Sequence, residues 1–185
     1  MMKRKVLILL IGISSVSAVA QSVDSATDMN GIILGTEQVE LKDNLYLITG
    51  DEPAYKEAPS LQYALKRKIM IGIRDATYQG DEFRQFGKYQ ATNITMQFYD
   101  GKLFKVQWTF RSQRELEETY HYLVDYYADK FGSSTEEVYD DFRQVEWQGH
   151  RKYAQVFMDN EADVTLVFED VKLSKKVQKA LAKSK

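Results

Sequence analysis

Two histidines, two acidic clusters and a pair of tyrosines are the side chains whose type and spacing invite a chemical reading. His121 falls on a helix pattern, well round from its apolar stripe, and His150 falls in a hairpin turn. Neither is spaced from a carboxylate as in an HExxH metal element, and neither sits as a triad member does, so both read as surface histidines. No serine has a G-x-S-x-G context, and no P-loop or G-x-G-x-x-G segment cradles a phosphate. The chain has no cysteine, which excludes thiol catalysis, cysteine-bound zinc and disulfide support.

Carboxylates remain. Glu136, Glu137, Asp140 and Asp141 form one cluster, and Asp159, Glu161 and Asp163 another. Two convergent acids are all that a glycosidase-type hydrolase requires. The second cluster has oxygen ligands for a hard cation, but lacks the glycine and the distal glutamate of an EF-hand loop. Wet loops are acidic for solubility, and that reading covers both. Tyr122 and Tyr126 form a second stripe on the main helix, off its core face. They read as boundary packing or as a partner face, where tyrosine is enriched. Trp108 and Trp147 lie at strand positions and read as core or sheet-face packing.

The elements that must position these groups follow a strand-rich pattern. Residues 31–36 form an apolar segment between glycines, a first strand or entry turn. Residues 39–48 fit either two short strands or a short helix capped by Thr36. Residues 50–60 hold both prolines and read as a loop, and alternation at Tyr63, Leu65, Ile69, Ile71 and Ile73 predicts strand over 61–74. Residues 79–88 are polar, with room for a turn of helix. Ile94, Met96 and Phe98, the turn at Asp100-Gly101, and Phe104, Val106, Trp108 and Phe110 predict an antiparallel hairpin with one buried face.

Ser112 with Glu115 predicts a capped helix running to Phe131 and ended by Gly132. Its stripe is Leu116, Tyr120, Leu123, Val124, Tyr127 and Phe131. Strands are predicted at 138–147, 153–158 and 164–168, with turns at 148–151 and 159–162. A lysine-rich helix capped by Ser174 closes the chain. The expected fold is α+β: an antiparallel sheet of about five to six strands, one main helix across one face, and a short C-terminal helix.

Residues 1–20 have the layout of a secretory signal peptide. Lys3, Arg4 and Lys5 precede an apolar run from Val6 to Val16, and Ala18-Val19-Ala20 is a small-x-small cleavage site. The run is too short to span a bilayer, and no second long apolar run follows. The expected product is periplasmic or secreted, without a membrane span. With no cysteine after the signal, it is not a lipoprotein. Residues 21–30 read as a disordered lead and 31–185 as a single domain with a basic tail helix. After cleavage 22 basic residues face 27 acids, which argues against nucleic-acid binding. The charge is segregated: from Lys172 onward there are six lysines and no acid. An acidic body with a basic tail can meet itself or an anionic envelope surface.

Several short segments resemble a group of small exported bacterial α+β proteins. They are Gly31 to Thr36, the basic stretch Tyr63 to Lys68, Ile94 to Val106, Phe131-Gly132, Trp147 to Gly149 and Thr165 to Phe168. The resemblance implies an antiparallel sheet with one main helix and carries over no catalytic residue. The leading expectation is an exported, non-enzymatic domain that binds a protein or envelope partner, with no cofactor and no metal. Two rivals are a carrier of a small apolar or glycan ligand between sheet and helix, and a carboxylate-based hydrolase. The oligomeric state is open at this stage.

Overall fold

The structure is a computed structural model and describes residues 22–111, 115–139, 142–159 and 163–184. The signal peptide expected at residues 1–20, the cap expected at Ser112, Asp140, Asp141 and residues 160–162 of the turn expected at 159–162 lie outside the described residues.

In chain order the strands are β1 (Leu45–Leu47), β2 (Ile73–Tyr78), β3 (Gln85–Phe86), β4 (Tyr89–Gln90), β5 (Asn93–Tyr99), β6 (Lys102–Arg111), β7 (Thr135–Val138), β8 (Phe142–Gln148), β9 (Lys152–Asp159) and β10 (Asp163–Asp170). The helices are α1 (Pro53–Lys56), α2 (Pro59–Met70), α3 (Leu116–Phe131) and α4 (Val171–Lys183). Eight strands build one antiparallel sheet in the order β1-β2-β5-β6-β10-β9-β8-β7, and β3 and β4 pair apart from it. The α+β class is as expected, but the sheet is larger than five to six strands.

The β5–β6 hairpin forms where Asp-Gly predicts it. Asp100 and Gly101 both have positive φ, 48° and 80°, the geometry of a turn that matches strand twist. Below the turn the register slips by one residue: Phe98 faces Leu103, while Met96 faces Val106. The slip is a β-bulge. It keeps Leu103 in the main core and sends Phe104 to the opposite face, against Ile73 and Val177. Phe104 therefore does not share the face of Val106, Trp108 and Phe110, as strict alternation predicts.

The main core lies on one face of the sheet. There α3 covers β6, β10 and β9, burying Tyr120, Leu123, Tyr127 and Phe131 against Trp108, Trp147, Leu166 and Phe168. Burying a side chain of this size contributes roughly 1.5–3 kcal/mol. The β3–β4 hairpin and the segment 22–34 cover the rest of that face. Val23, Ala26 and Met29 are buried in it, so residues 22–30 are part of the domain rather than a disordered lead. Asp24 fixes this segment: its carboxylate accepts the N–H groups of His150, Arg151 and Lys152 at 2.7–2.8 Å.

Residues 61–74 are not one strand. Pro59 sits in the first helical turn, where its missing N–H costs nothing, and α2 runs to Met70 before Gly72 turns the chain into β2. Gly72 has φ +86°, and a Cβ there would lie 2.4 Å from the Asp100 carboxylate. Residues 39–48 resolve into a 3-10 segment, Gln38–Asn44, followed by β1. The segment is boxed by Glu37 and Glu40 rather than capped by Thr36. The strand expected at 138–147 is two strands, β7 and β8. The polar stretch 79–88 contains β3 and no helical turn. The tail helix begins at Val171, with the Asp170 carboxylate accepting the Leu173 N–H, and Ser174 is buried within it.

The opposite sheet face carries α2 and α4. Val177 packs on Ile73 and Phe104, and the Lys68 ammonium meets Asp75 of β2 at 2.8 Å. The Arg67 guanidinium joins the two helices through Ser184 Oγ and the Leu181 carbonyl. One main helix on one face is thus only half of the arrangement. None of the helices among the described residues is long and apolar enough to cross a membrane.

Candidate functional site

The pair Tyr122 and Tyr126, read from the sequence as boundary packing or a partner face, sits at a cleft. The cleft has a volume of about 250 Å³ and lies between α3, the β3–β4 hairpin and the segment 28–31. Tyr122, Tyr126, Tyr127 and Lys130 come from α3, Gln85 and Gly87 from the hairpin, and Asp28 and Asn30 from the N-terminal segment.

Helical periodicity explains the α3 contribution. Leu123 and Tyr127 hold the core face of the helix, so Tyr122 and Tyr126, at i and i+4, fall together on the flank. Their rings stack with centroids 6.1 Å apart and an interplanar angle of 20°. Tyr122 also packs on Tyr89 at 5.1 Å, so hairpin and helix share an aromatic seam. Tyr126 stands edge-on to Tyr127 at 5.0 Å, and Tyr127 stacks on Phe131. The Lys130 ammonium lies 5.5 Å from the centre of the Tyr126 ring, a cation–π distance. Tyr126 is 45 % exposed, while Tyr122 is half-buried.

The hairpin approaches closely because residue 87 is glycine. Its φ is +56°, and a Cβ there would lie 2.4 Å from the Tyr122 hydroxyl. On the other wall, the Asn30 side chain donates to the Phe83 carbonyl at 2.7 Å, and the Trp108 indole N–H donates to the same carbonyl at 2.9 Å. These bonds tie the wall to the core. Burial pushes the Tyr127 phenol far above the usual tyrosine range, with Tyr126, Tyr122 and the charge of Asp28 adding to it. The cleft presents three tyrosine rings and the side chains of Lys130 and Asp28. Groups of these kinds can stack and hydrogen-bond.

The acidic cluster does not converge among the described residues. Glu136 and Glu137 are successive residues of edge strand β7, so their side chains point to opposite faces. Glu137 accepts from the Gln144 side chain at 2.7 Å and from the Tyr139 hydroxyl at 3.2 Å. No group of three or more His, Asp or Glu among the described residues is placed to hold a metal ion. His121 lies at the surface, 3.7 Å from Glu117, and His150 lies in the β8–β9 turn. Asp163 is paired with Arg111 through two bonds of 2.8 Å. Trp108 and Trp147 are core residues.

Sequence reasoning found the tyrosine pair but not its surroundings. Gly87 and Asp28 are brought to Tyr122 and Tyr126 by the tertiary fold, whereas Lys130, four residues beyond Tyr126, follows from the helical spacing; the Gly87-Lys88 turn is the one local signal for the hairpin wall.

No protein-family model and no curated protein matches this chain. Among solved structures it is similar to a GTP binding regulator from Thermotoga maritima, with 9% sequence identity and a TM-score of 0.40. The match covers 63% of this chain and 83% of that one. A likeness of that degree carries no argument about function.

Proposed function

We propose that the chain is an exported, non-enzymatic domain that binds a protein or envelope partner through the cleft at Tyr122 and Tyr126. The observation that carries this reading is the open tyrosine stack in a cleft walled by α3, the β3–β4 hairpin and the segment 28–31. Rigid tyrosines offer large contact area at low entropic cost and are enriched at protein interfaces. Export is supported by the basic start, apolar run and small-x-small site of residues 1–20. A periplasmic or secreted location follows from that layout. The kinship with small exported bacterial proteins rests on the short segments that resemble them.

The rival carrier reading places a ligand between sheet and main helix. The side chains that would line that space, Trp108, Leu123, Tyr127, Leu166 and Phe168, are buried and packed together, which favours binding at the flank. The hydrolase reading requires two converging acids, and Glu136 and Glu137 diverge.

A photo-crosslinking residue at position 126 tests the proposal in cells. The reading predicts one discrete crosslinked product from the envelope or secreted fraction, absent when the crosslinker is moved to the exposed position 39. Labelling at 39 equal to that at 126 contradicts it. N-terminal sequencing of the recovered protein tests export: a start at Gln21 supports it, and a retained Met1 opposes it.

A further inference from the structure

The opposite side of the molecule carries a second surface, independent of the tyrosine cleft. The helices α2 and α4 hold eight of the chain's 25 Lys and Arg residues and none of its 27 Asp and Glu residues. Both lie on the same face of the sheet, because Ile73 under α4 and Asp75 under α2 are alternate residues of one strand. Arg67 bonds the C-terminal end of one helix to that of the other, so the two make one continuous surface.

The inner side of α4 is Leu173, Ser174, Val177 and Leu181. Its outer side is lysine. Among the described residues none of Lys66, Lys172, Lys175, Lys176, Lys179 and Lys183 is held in an ion pair, whereas Lys68, Lys88, Lys102 and Lys105 are. The basic surface is therefore unneutralised. On α2 two large apolar side chains share the outward side with Lys66: Tyr63 is 72 % exposed and Met70 is 85 % exposed. They are seven residues apart, two turns along one helix face, with Lys66 between them. Single exposed apolar residues are ordinary. A flexible thioether and a phenol ring projecting from an acid-free field of lysines are the composition of an interfacial surface.

We propose that the outer surface of α2 and α4 docks on an anionic lipid bilayer, with the lysines at the headgroups and Tyr63 and Met70 entering the interface. Charge complementarity selects this occupant. The remainder of the chain has 17 basic residues against all 27 acids, so an anionic surface attracts this side and on balance repels the rest, which favours an orientation with this side down. In that orientation the tyrosine cleft, on the other sheet face, stays in solution.

Co-sedimentation of the full chain with vesicles tests this. Vesicles of phosphatidylcholine alone are compared with vesicles containing phosphatidylglycerol, at low and high salt. The proposal predicts binding to the anionic vesicles only, weakened by salt. Each lysine near the surface contributes about fivefold, so Lys175→Gln with Lys176→Gln and Lys179→Gln loses about 100-fold in partitioning, at an unchanged melting temperature. Tyr63→Ser with Met70→Ser weakens binding by about tenfold and keeps the preference for anionic lipid. Equal binding to neutral vesicles overturns the proposal. So does full binding by the triple lysine variant, which assigns membrane contact to the apolar run of residues 6–16. Retention on a soluble polyanion that equals vesicle binding and ignores Tyr63 and Met70 also overturns it, in favour of general polyanion binding.

Discussion

At the scale of single residues, the side chains that do most are those whose partners lie far away in sequence. Gly87 lets the β3–β4 hairpin touch Tyr122. We predict that Gly87→Ala costs about 1–3 kcal/mol in chemical denaturation, from the positive φ and the clash with the Tyr122 ring, and that adding Tyr122→Ala removes part of that cost. Tyr120 makes the opposite case. Its hydroxyl is buried and has no hydrogen-bond partner among the described residues, and burial followed by the charge of Glu136 raises its pKa. Tyr120→Phe therefore leaves the melting temperature unchanged or raises it, and calorimetry checks this. Asp24 sets a pH dependence. Burial opposes its charge, but three backbone N–H donors prevail and hold the carboxyl below its ordinary value. Arg111 does the same for Asp163, against a smaller effect of burial. A folded-state pKa below the unfolded one gives stabilisation that is complete above the unfolded value, about 4, and is lost as pH falls through the folded value. The stability gap between wild type and Asp24→Ala should thus be largest near neutral pH and shrink towards about pH 2. A gap that stays constant over that range contradicts this assignment.

At the scale of elements, local signals were legible and compensated ones were not. The Asp-Gly hairpin and the stripe of α3 could be read because turn chemistry and periodicity act over a few residues. The helix α2 could not. Only Leu65 is buried on it, so its sequence shows no helical stripe, and Tyr63, Leu65, Ile69 and Ile71 alternate as a strand does. Its identity rests on Pro59 at the first turn and on docking against β2. The bulge that turns Phe104 away from the main core was equally hidden, since one inserted residue leaves the alternation of Val106, Trp108 and Phe110 intact. The start of α4 shows the same limit: Ser174 has the residue type of a cap, yet Asp170 does the capping. Asp170→Ala should lower stability by about 1 kcal/mol in urea denaturation, a loss that Asn at the same position largely restores. An unchanged midpoint for Asp170→Ala contradicts this placement of the helix start. The edge strand β7 is fully exposed, and Glu136 and Glu137 on it act as charges that discourage edge-to-edge pairing.

At the scale of the whole molecule, the two sheet faces differ in composition. One holds the aromatic core and, at its flank, the tyrosine cleft; the other holds two basic helices. Of the cleft, the sequence showed the pair at Tyr122 and Tyr126 because both lie on one helix flank. It did not show the walls, which come from residues 28–31 and 85–87 and reach the pair only once the chain is folded. The central claim is that this cleft is where a partner binds. The most direct measurement is quantitative capture of that partner from envelope and secreted fractions at high salt, using wild type and Tyr126→Ala with equal melting temperatures. A buried aromatic anchor is worth about 2 kcal/mol or more at an interface, so the variant should retain less than about a tenth of the partner that wild type retains. Equal retention by the two proteins would contradict the account and move the binding surface elsewhere on the molecule.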